Sequence, residues 1–167
     1  MFLKKNIIKK ILKDKKKIES KLNIRIKIDG SNIEISGDEL GIYIAEKVIE
    51  ALEKNFPVHI ALLLSEENYM LENLQIKNIT NRKNLVTIRA RIIGKEGKTI
   101  KLMSELSACY ITLNDNVVSI IGSVEKIKEA ENAIKGLILG SKQDNVYKYL
   151  EKSRKKFYDE DLGLKGK

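Results

Sequence analysis

The chain has 167 residues, which suffices for one ordinary domain or two small ones. Hydrophobic residues make up 43% of it and aromatic residues only 5%, so we expect an aliphatic core. A formal net charge of +9 favours a polyanionic partner, most often nucleic acid, although a charge that only maintains solubility would give the same sum. Cys109 is the single cysteine, which excludes an intrachain disulfide and a cysteine-based zinc site.

Neither a membrane span nor a secretory signal is expected. No apolar run reaches the length of about 18 residues that a transmembrane helix needs. Residues 1–17 are basic, but no apolar segment follows them as it would in a signal peptide. We therefore expect a cytoplasmic protein that binds no membrane.

One supersecondary unit occurs twice along the chain. A shift of 85 residues places residues 8–52 over residues 93–137 without a gap, and the hydrophobic pattern is kept. Such self-similarity indicates two copies of one structural unit. Identical pairs include Ile8 and Ile93, Ile26 and Ile111, Gly37 and Gly122, Ala45 and Ala130, and Leu52 and Leu137.

The first copy has the pattern of a helix, two strands and a second helix. Helical spacing predicts a helix over residues 13–22, and alternation predicts strands at residues 24–28 and 33–35. The second helix is predicted from residue 38 to about residue 55. A strand before the first helix would be short, because it is crowded against Met1.

The segment that joins the two copies has a weaker pattern. Phe56-Pro57 breaks the preceding helix, and residues 59–64 predict a short apolar helix. Residues 67–84 are mixed in character and expected to be partly irregular.

The second copy begins with residues 85–91, whose alternation of apolar and polar residues predicts a half-buried strand. The segment Gly94-Lys95-Glu96-Gly97 follows after a short turn, and helical spacing extends over residues 98–107. Two further strands are predicted at residues 109–113 and 118–120, joined by an Asn-Asp-Asn turn.

The chain then continues as a long helix, with Ser123 as its predicted N-cap, through residue 138. Val146, Tyr147 and Leu150 predict a further helical turn or two, and the charged chain beyond Lys152 is expected to fray. The prediction is an α+β fold with two tandem units, each a three-stranded antiparallel sheet with helices packed on one face.

Gly94 and Gly97 flank two polar residues at the start of a helix. Two glycines at this point let a nucleic-acid backbone approach without interference from Cβ atoms. The free N–H groups at the start of the helix favour a phosphate. A GxxG loop that clamps about four nucleotides is the signature of KH modules, so we expect single-stranded RNA to bind here. A plain strand-to-helix turn is the alternative.

Basic and aliphatic residues surround that loop. The basic side chains would neutralise RNA phosphates, and Glu96 would reduce their positive field without abolishing it. Because few aromatic residues lie near the loop, bases would contact an aliphatic groove instead of stacking on aromatic rings. Ile111 is a further candidate for the groove, with the core as the alternative. The predicted RNA-binding residues are Arg89, Arg91, Ile93, Gly94, Lys95, Glu96, Gly97, Lys98, Ile100 and Lys101.

The first copy lacks both glycines, since Lys9-Lys10-Ile11-Leu12 occupies the equivalent position. A backbone clamp is therefore not expected there. The dense lysines of residues 9–17 would contact RNA electrostatically or form a solvated helix face, and the sequence does not decide between these two.

No catalytic or metal site is predicted. His59 is the only histidine and has no nucleophile or second histidine to act with. Cys109 is expected to be a small buried hydrophobe. Asp159, Glu160 and Asp161 are interpreted as a solvated acidic segment rather than a divalent-ion site. We expect no cofactor and no enzymatic activity.

Taken together, the repeat, the loop and the linker resemble the archaeal two-KH-domain ribosome-biogenesis proteins, which are counterparts of the eukaryotic partner of the endonuclease that matures small-subunit rRNA. The resemblance is carried by residues 89–99 around the loop, by Val118-Ser119-Ile120-Ile121-Gly122, by residues 145–151, and by the linker segments at residues 61–64 and 69–71.

This resemblance implies type I KH units and binding near the 3′ end of small-subunit rRNA. It also implies two protein partners, the 3′-end-processing endonuclease and the alpha subunit of translation initiation factor two. The implied segments are a degenerate KH domain at 1–55, a connecting segment at 56–84, a KH domain with an intact loop at 85–140, and a C-terminal helix and basic tail at 141–167.

Family members often keep glycines in the first KH loop, and the departure at residues 9–12 favours a protein-docking or scaffold role for that unit. The alternatives to an assembly factor are a general KH adaptor in RNA decay or translation initiation, an RNA-cleaving or ligating enzyme, and a pure protein adaptor.

Overall fold

The structure is a computed structural model and describes residues 1–163. The chain divides into two compact units, Met1–Leu71 and the residues from Glu72 onward. The end of the expected basic tail, residues 164–167, lies outside the described residues. Within the described part of the chain, no helix is long and apolar enough to cross a membrane.

The first unit contains a two-stranded sheet and the helices that pack against it. Its elements are helix α1 (Lys5–Leu22), strands β1 (Ile24–Asp29) and β2 (Asn32–Gly37), helix α2 (Glu39–Glu53) and short helix α3 (Val58–Ala61), which leads into a 3-10 turn at Leu62–Ser65. Strands β1 and β2 pair antiparallel around the predicted turn, with Ile26 opposite Ile35. Helix α1 packs on β1 and on α2, and α2 packs on β2.

The predicted three-stranded sheet is wrong for the first unit, because the segment before α1, where a short strand was expected, forms only an isolated bridge. Phe2 pairs with Asn32 in an isolated antiparallel bridge. The N–H of Leu3 donates to Ser31 O at 2.9 Å, and the N–H of Ile33 donates to Met1 O at 2.8 Å. The chain start therefore lies against the start of β2 through a few backbone hydrogen bonds without forming a third strand.

Helix α1 starts eight residues earlier than the predicted helix and runs through the segment Lys9-Lys10-Ile11-Leu12. It is bent at Asp14, whose φ of −112° and ψ of 17° are not helical. Ile7, Ile11 and Ile18 on one side are buried. The apolar residues in this segment thus hold the chain in helix where the second copy has its loop.

The second unit is an α+β arrangement around a three-stranded sheet. Its elements begin with strand β3 (Tyr69–Gln75), whose first three residues precede the division at Glu72. They continue with short helix α4 (Ile76–Ile79), helices α5 (Leu85–Ile93) and α6 (Lys98–Ser107), strands β4 (Tyr110–Asn114) and β5 (Val117–Ser123), and helices α7 (Val124–Leu139) and α8 (Gln143–Asp161). The strand order is β3-β5-β4, and β5 pairs antiparallel with β4. Helix α6 packs on β4 and α7 on β5.

Two predictions about the second unit were wrong. Residues 85–91 form helix α5 rather than a strand, because Ile88 and Ile92 are buried one helical turn apart. The third strand of the sheet is β3, in the segment expected to be partly irregular. The predicted order of α6, β4, β5 and α7 is found, but the first strand is a different segment, and α4 and α5 lie between it and the loop.

The expected frayed C-terminal segment is a 19-residue helix, α8. Val146 and Leu150 are its buried residues, and the helix packs on α6 and α7. Asp159, Glu160 and Asp161 lie in its last turn. A few buried contacts are therefore enough to order a segment whose composition is strongly polar.

Candidate nucleic-acid interface

The GxxG loop is a tight turn between two helices, since α5 ends at Ile93 and α6 begins at Lys98. The N–H of Gly94 donates to Ala90 O at 2.8 Å and closes α5. The N–H of Gly97 donates to Gly94 O at 3.2 Å and closes the turn. The loop therefore redirects the chain from one helix into the next within four residues.

The two glycines have different roles. Both have positive φ, +74° at Gly94 and +75° at Gly97, where a side chain is strained. A Cβ on Gly94 would meet Thr99 and lie 2.6 Å from its Cβ, whereas nothing lies within 4 Å of a Cβ placed on Gly97. Gly94 is thus required for packing inside the protein, and Gly97 borders open space that another backbone can enter.

The residues between the glycines are turned outward. Glu96 has a left-handed φ of +54°, which is uncommon for a residue other than glycine. Lys95 and Glu96 are exposed, and Lys98 Nζ lies 3.9 Å from Glu96 Oε2 with both side chains about three-quarters exposed. Because the pair is so exposed, it leaves both charges available to a ligand.

Two of the predicted basic residues are engaged within the protein. Arg89 Nη1 donates to Asn116 Oδ1 at 2.9 Å, next to the turn between β4 and β5. Arg91 Nη2 donates to Ser141 O at 2.6 Å, ahead of α8. Lys95, Lys98 and Lys101 are exposed instead. The basic surface at the loop is therefore made mainly by lysines.

A polar brace lies behind the loop. Gln143 Nε2 donates to Thr99 Oγ1 at 2.9 Å and to Arg91 O at 3.1 Å, so one amide joins the last turn of α5 to the first turn of α6. Thr99 is the same buried residue that Gly94 packs against. The brace thus holds both ends of the loop at a fixed separation.

The exposed aliphatic residues beside the loop include some that the sequence reasoning missed. Ile93 is 40% exposed, and Ile100 and Ile111 are half-buried. Val86 is 64% exposed and lies on α5, four residues before Ala90. It was not predicted as a site residue because the sequence of this segment indicated a strand. Exposed Val86, Ala90 and Ile93 at positions i, i+4 and i+7 form an aliphatic stripe along α5.

The remaining candidates carry no site. Cys109 is buried, as predicted, and burial raises the pKa of its thiol to about 11, so the reactive thiolate is suppressed. His59 is exposed on α3. Among residues 1–163, no group of His, Cys, Asp and Glu side chains is placed to hold a metal ion. Ser123 occupies the N-cap position of α7, but its hydroxyl makes no cap hydrogen bond there.

Comparisons with known proteins agree with this geometry. Residues 70–155 match a family model described as a eukaryotic-type KH domain, KH-domain type I. The chain is 31% identical over 149 residues to the KH domain-containing protein of Methanocaldococcus jannaschii, a match that covers 85% of this chain and 66% of that protein. It is 31% identical over 135 residues to the pre-rRNA-processing protein PNO1 of Coccidioides immitis, covering 76% of this chain and 53% of that protein.

A solved structure is similar over nearly the whole chain. It is the crystal structure of an a/eIF2alpha–aDim2p–rRNA complex from Pyrococcus horikoshii OT3, with a TM-score of 0.80, 29% sequence identity and coverage of 93% of both chains. The chain spans between about half and two thirds of the length of the curated relatives given above. The chain belongs to the KH-domain family of the archaeal Dim2 and eukaryotic PNO1 proteins.

Proposed function

We propose that this chain is a non-catalytic, cytoplasmic protein that binds single-stranded RNA and assists small ribosomal subunit assembly near the 3′ end of small-subunit rRNA. The observation that carries the proposal is the loop, where Gly97 borders open space at the start of α6 and exposed lysines lie beside it. A backbone phosphate accepts hydrogen bonds from free N–H groups at such a helix start.

The names of the relatives give the RNA its identity in this proposal. One relative is a pre-rRNA-processing protein, and a structural neighbour forms a complex with rRNA and a/eIF2alpha. We extend this to rRNA as the substrate, and to the alpha subunit of translation initiation factor two and the 3′-end-processing endonuclease as protein partners.

We assign the RNA contacts within the loop and its flanks. Phosphates are contacted by Gly97 and by the side chains of Lys95, Lys98 and Lys101. The carboxylate of Glu96 reduces the positive field of these lysines. Ile93 and Ile100 line the aliphatic side of the groove. Gly94 shapes the loop from inside. Arg89 and Arg91 each have one guanidinium N–H already donated within the protein, so we give them a supporting role with their remaining donors.

We further propose that the first unit is a degenerate KH unit. A shift of 85 residues places α1 over the end of α5, the loop and α6. The same shift places β1 over β4, β2 over β5, and α2 over α7. The intact KH unit then begins with β3 rather than at residue 85, and the connecting segment shortens accordingly. The first unit has no glycine loop, so the clamp is assigned to the second unit alone.

The test compares Gly97→Asp with Gly97→Asn. Both side chains tolerate left-handed backbone and have nearly the same shape, so the pair differs mainly in charge. The probe is a single-stranded RNA with the 3′-terminal small-subunit rRNA sequence, measured by fluorescence anisotropy. We expect Gly97→Asp to weaken binding at least about tenfold, or about 1.4 kcal/mol, and Gly97→Asn to weaken it less.

Two results would change the proposal. Equal affinities of the parent protein and a folded Gly97→Asp variant would contradict the clamp. A scrambled RNA that binds as tightly as the rRNA sequence would favour the general RNA-binding adaptor over the assembly factor.

A further inference from the structure

Helix α1 carries a face of lysines that the loop assignment leaves unexplained. Residues 5–22 contain eight lysines and two acidic residues, a net charge of +6, whereas the equivalent residues 90–107 have a net charge of +2. We call the exposed Lys5, Lys9, Lys13 and Lys16 the lysine face. The part of the fold that lost the glycines therefore has three times the net positive charge of the part that kept them.

The lysines of this face are regularly spaced. Lys5, Lys9 and Lys13 follow one another at i and i+4, about 6 Å apart along the axis, and Lys16 follows after the bend at Asp14. Residues on the opposite side, Ile7 and Ile11 among them, are buried. The charges thus project from one exposed side of the helix rather than surrounding it.

Among the described residues, the four lysines of the face make no ion pair. The ion pairs of α1 within residues 1–163 are Lys15 with Glu19 at 3.9 Å and Lys21 with Glu66 at 2.8 Å, and both lie off it. Like charges at i and i+4 repel each other and disfavour the helix. The arrangement is therefore unfavourable for the isolated protein and favourable when an anion binds.

We propose that the lysine face binds the phosphate backbone of RNA without regard to sequence, as a second contact region in addition to the loop. This inference deepens the RNA-binding function proposed above and rests on it. Protein interfaces depend on buried apolar or aromatic anchors, and among the residues of α1 only Leu12 is a large apolar side chain that is exposed. Phosphate binding requires only positioned charge, and ammonium groups supply it as point charges.

The lysine face and the loop then contribute to RNA binding in different ways. The loop positions a short segment of RNA by backbone contact, and the lysines add affinity that falls with salt because each neutralised phosphate releases counterions. Nucleotides outside the clamped segment supply the phosphates.

The test removes charge from the face and, in a matched variant, from elsewhere. The first variant is Lys9→Gln, Lys13→Gln and Lys16→Gln, and the control is Lys47→Gln, Lys128→Gln and Lys135→Gln. The three control lysines pair with Glu50 or Glu131 at 2.6 to 3.6 Å, so their charges are already partly neutralised. The probe is a uridine homopolymer, and its affinity is measured against salt concentration.

We expect the salt slope of log affinity to fall by about 2 in the face variant, since each single-strand phosphate contact contributes about 0.7. At 0.1 M salt this corresponds to a loss of up to about a hundredfold in affinity. Lys9→Arg, Lys13→Arg and Lys16→Arg together should keep the parent slope. The glutamine variant should be at least as heat-stable as the parent protein, because repulsive pairs are removed.

A face variant with the slope and affinity of the control would overturn this inference, whatever Gly97→Asp does. Binding that depends on the face but not on Gly97 would contradict the loop assignment and leave the lysine face standing. An arginine variant that binds as weakly as the glutamine variant would also overturn it, since the charge is then not what binds.

Discussion

The same stretch of the fold is built in two ways, as the bent helix α1 in the first unit and as α5, the GxxG loop and α6 in the second. Four buried positions are common to residues 3–22, which end with α1, and to residues 88–107. They are Leu3 and Ile88, Ile7 and Ile92, Ile18 and Met103, and Leu22 and Ser107, each pair 85 residues apart. The packing of this stretch within its unit is therefore kept, although the backbone between the buried positions differs.

The difference lies in the middle of the stretch, at two positions that are buried in the first unit and exposed in the second. Ile8 is buried, whereas its equivalent, Ile93, is 40% exposed. Ile11 is fully buried in α1, whereas Glu96, its equivalent in the second unit, is exposed with a φ of +54°. A continuous helix directs this position into the core, and the glycines direct it outward. The loop of the second unit thus forms at the cost of two buried side chains and one stretch of helical hydrogen bonds.

The largest expected effect comes from placing alanine at equivalent positions of the two units. Gly94→Ala combines a left-handed φ with a clash against Thr99, and we expect it to lower the free energy of unfolding by about 3 kcal/mol. Lys9 is at an exposed helical position, so Lys9→Ala should change the free energy of unfolding by less than about 0.5 kcal/mol. Urea unfolding followed by circular dichroism measures both.

Gly97→Ala is the milder change at the loop. Gly97 has a ψ of 11°, in the left-handed region, and nothing lies within 4 Å of the added Cβ, so we expect a loss of only about 1 kcal/mol. Gly94 has a ψ of 175°, a conformation nearly confined to glycine, and also meets Thr99, so equal losses for the two variants would contradict both reasons for the larger effect.

Sequence reasoning found most elements because their periodicity is clear. Helix α6 has the predicted bounds, and β1, β2, β4, β5, α2 and α7 lie where the pattern placed them. Helix α5 was missed because its β-branched residues favour a strand and its nine residues are too few to establish helical periodicity. Strand β3 shows no clean alternation of burial, so the segment had no pattern to recognise.

The candidate site could be predicted only where its residues are close together in sequence. The loop was found from its glycines, and the exposure of Lys95 and Lys98 agrees with that prediction. The brace was not found, because Gln143 lies more than 40 residues from both of its acceptors. The bonds of Arg89 and Arg91 were missed for the same reason, since tertiary contacts alone decide which arginines remain free.

A double glycine variant of α1, with an expected effect of intermediate size, tests whether glycines alone convert this helix into an RNA-binding loop. Lys9→Gly with Leu12→Gly recreates the spacing of the loop at two exposed positions of α1. Glycine in a helix interior costs about 1 kcal/mol per residue, so we expect about 2 kcal/mol lower stability in urea unfolding. RNA affinity should not rise, because buried Ile11 keeps this turn against the core.

The control for this variant is Lys9→Ala with Leu12→Ala, which keeps the helix and removes the same side chains. A gain in RNA affinity with the glycine pair, absent from the alanine pair, would mean that the glycines and not the buried isoleucine decide between helix and clamp.

The smallest expected effect concerns Gln143, whose side chain links α5 and α6 where the second unit has no continuous helix. Backbone hydrogen bonds hold α1 together, whereas α5 and α6 are joined across the loop by Gln143, which donates to Arg91 O and Thr99 Oγ1. Gln143→Met keeps the size of the side chain and removes the donor. We expect a loss of about 1 kcal/mol in stability and about threefold in RNA affinity, because the loop is then less well ordered before RNA binds.

The salt dependence distinguishes this role from direct RNA contact. Gln143 contributes no charge, so the salt slope of RNA affinity should stay at the parent value while amide exchange at Gly97 becomes faster. Gln75→Met makes the same chemical change at an exposed position and should leave both measurements unchanged. If Gln143→Met left amide exchange unchanged but weakened RNA binding, Gln143 would contact the RNA itself, and the loop would need no brace to stay open between two helices.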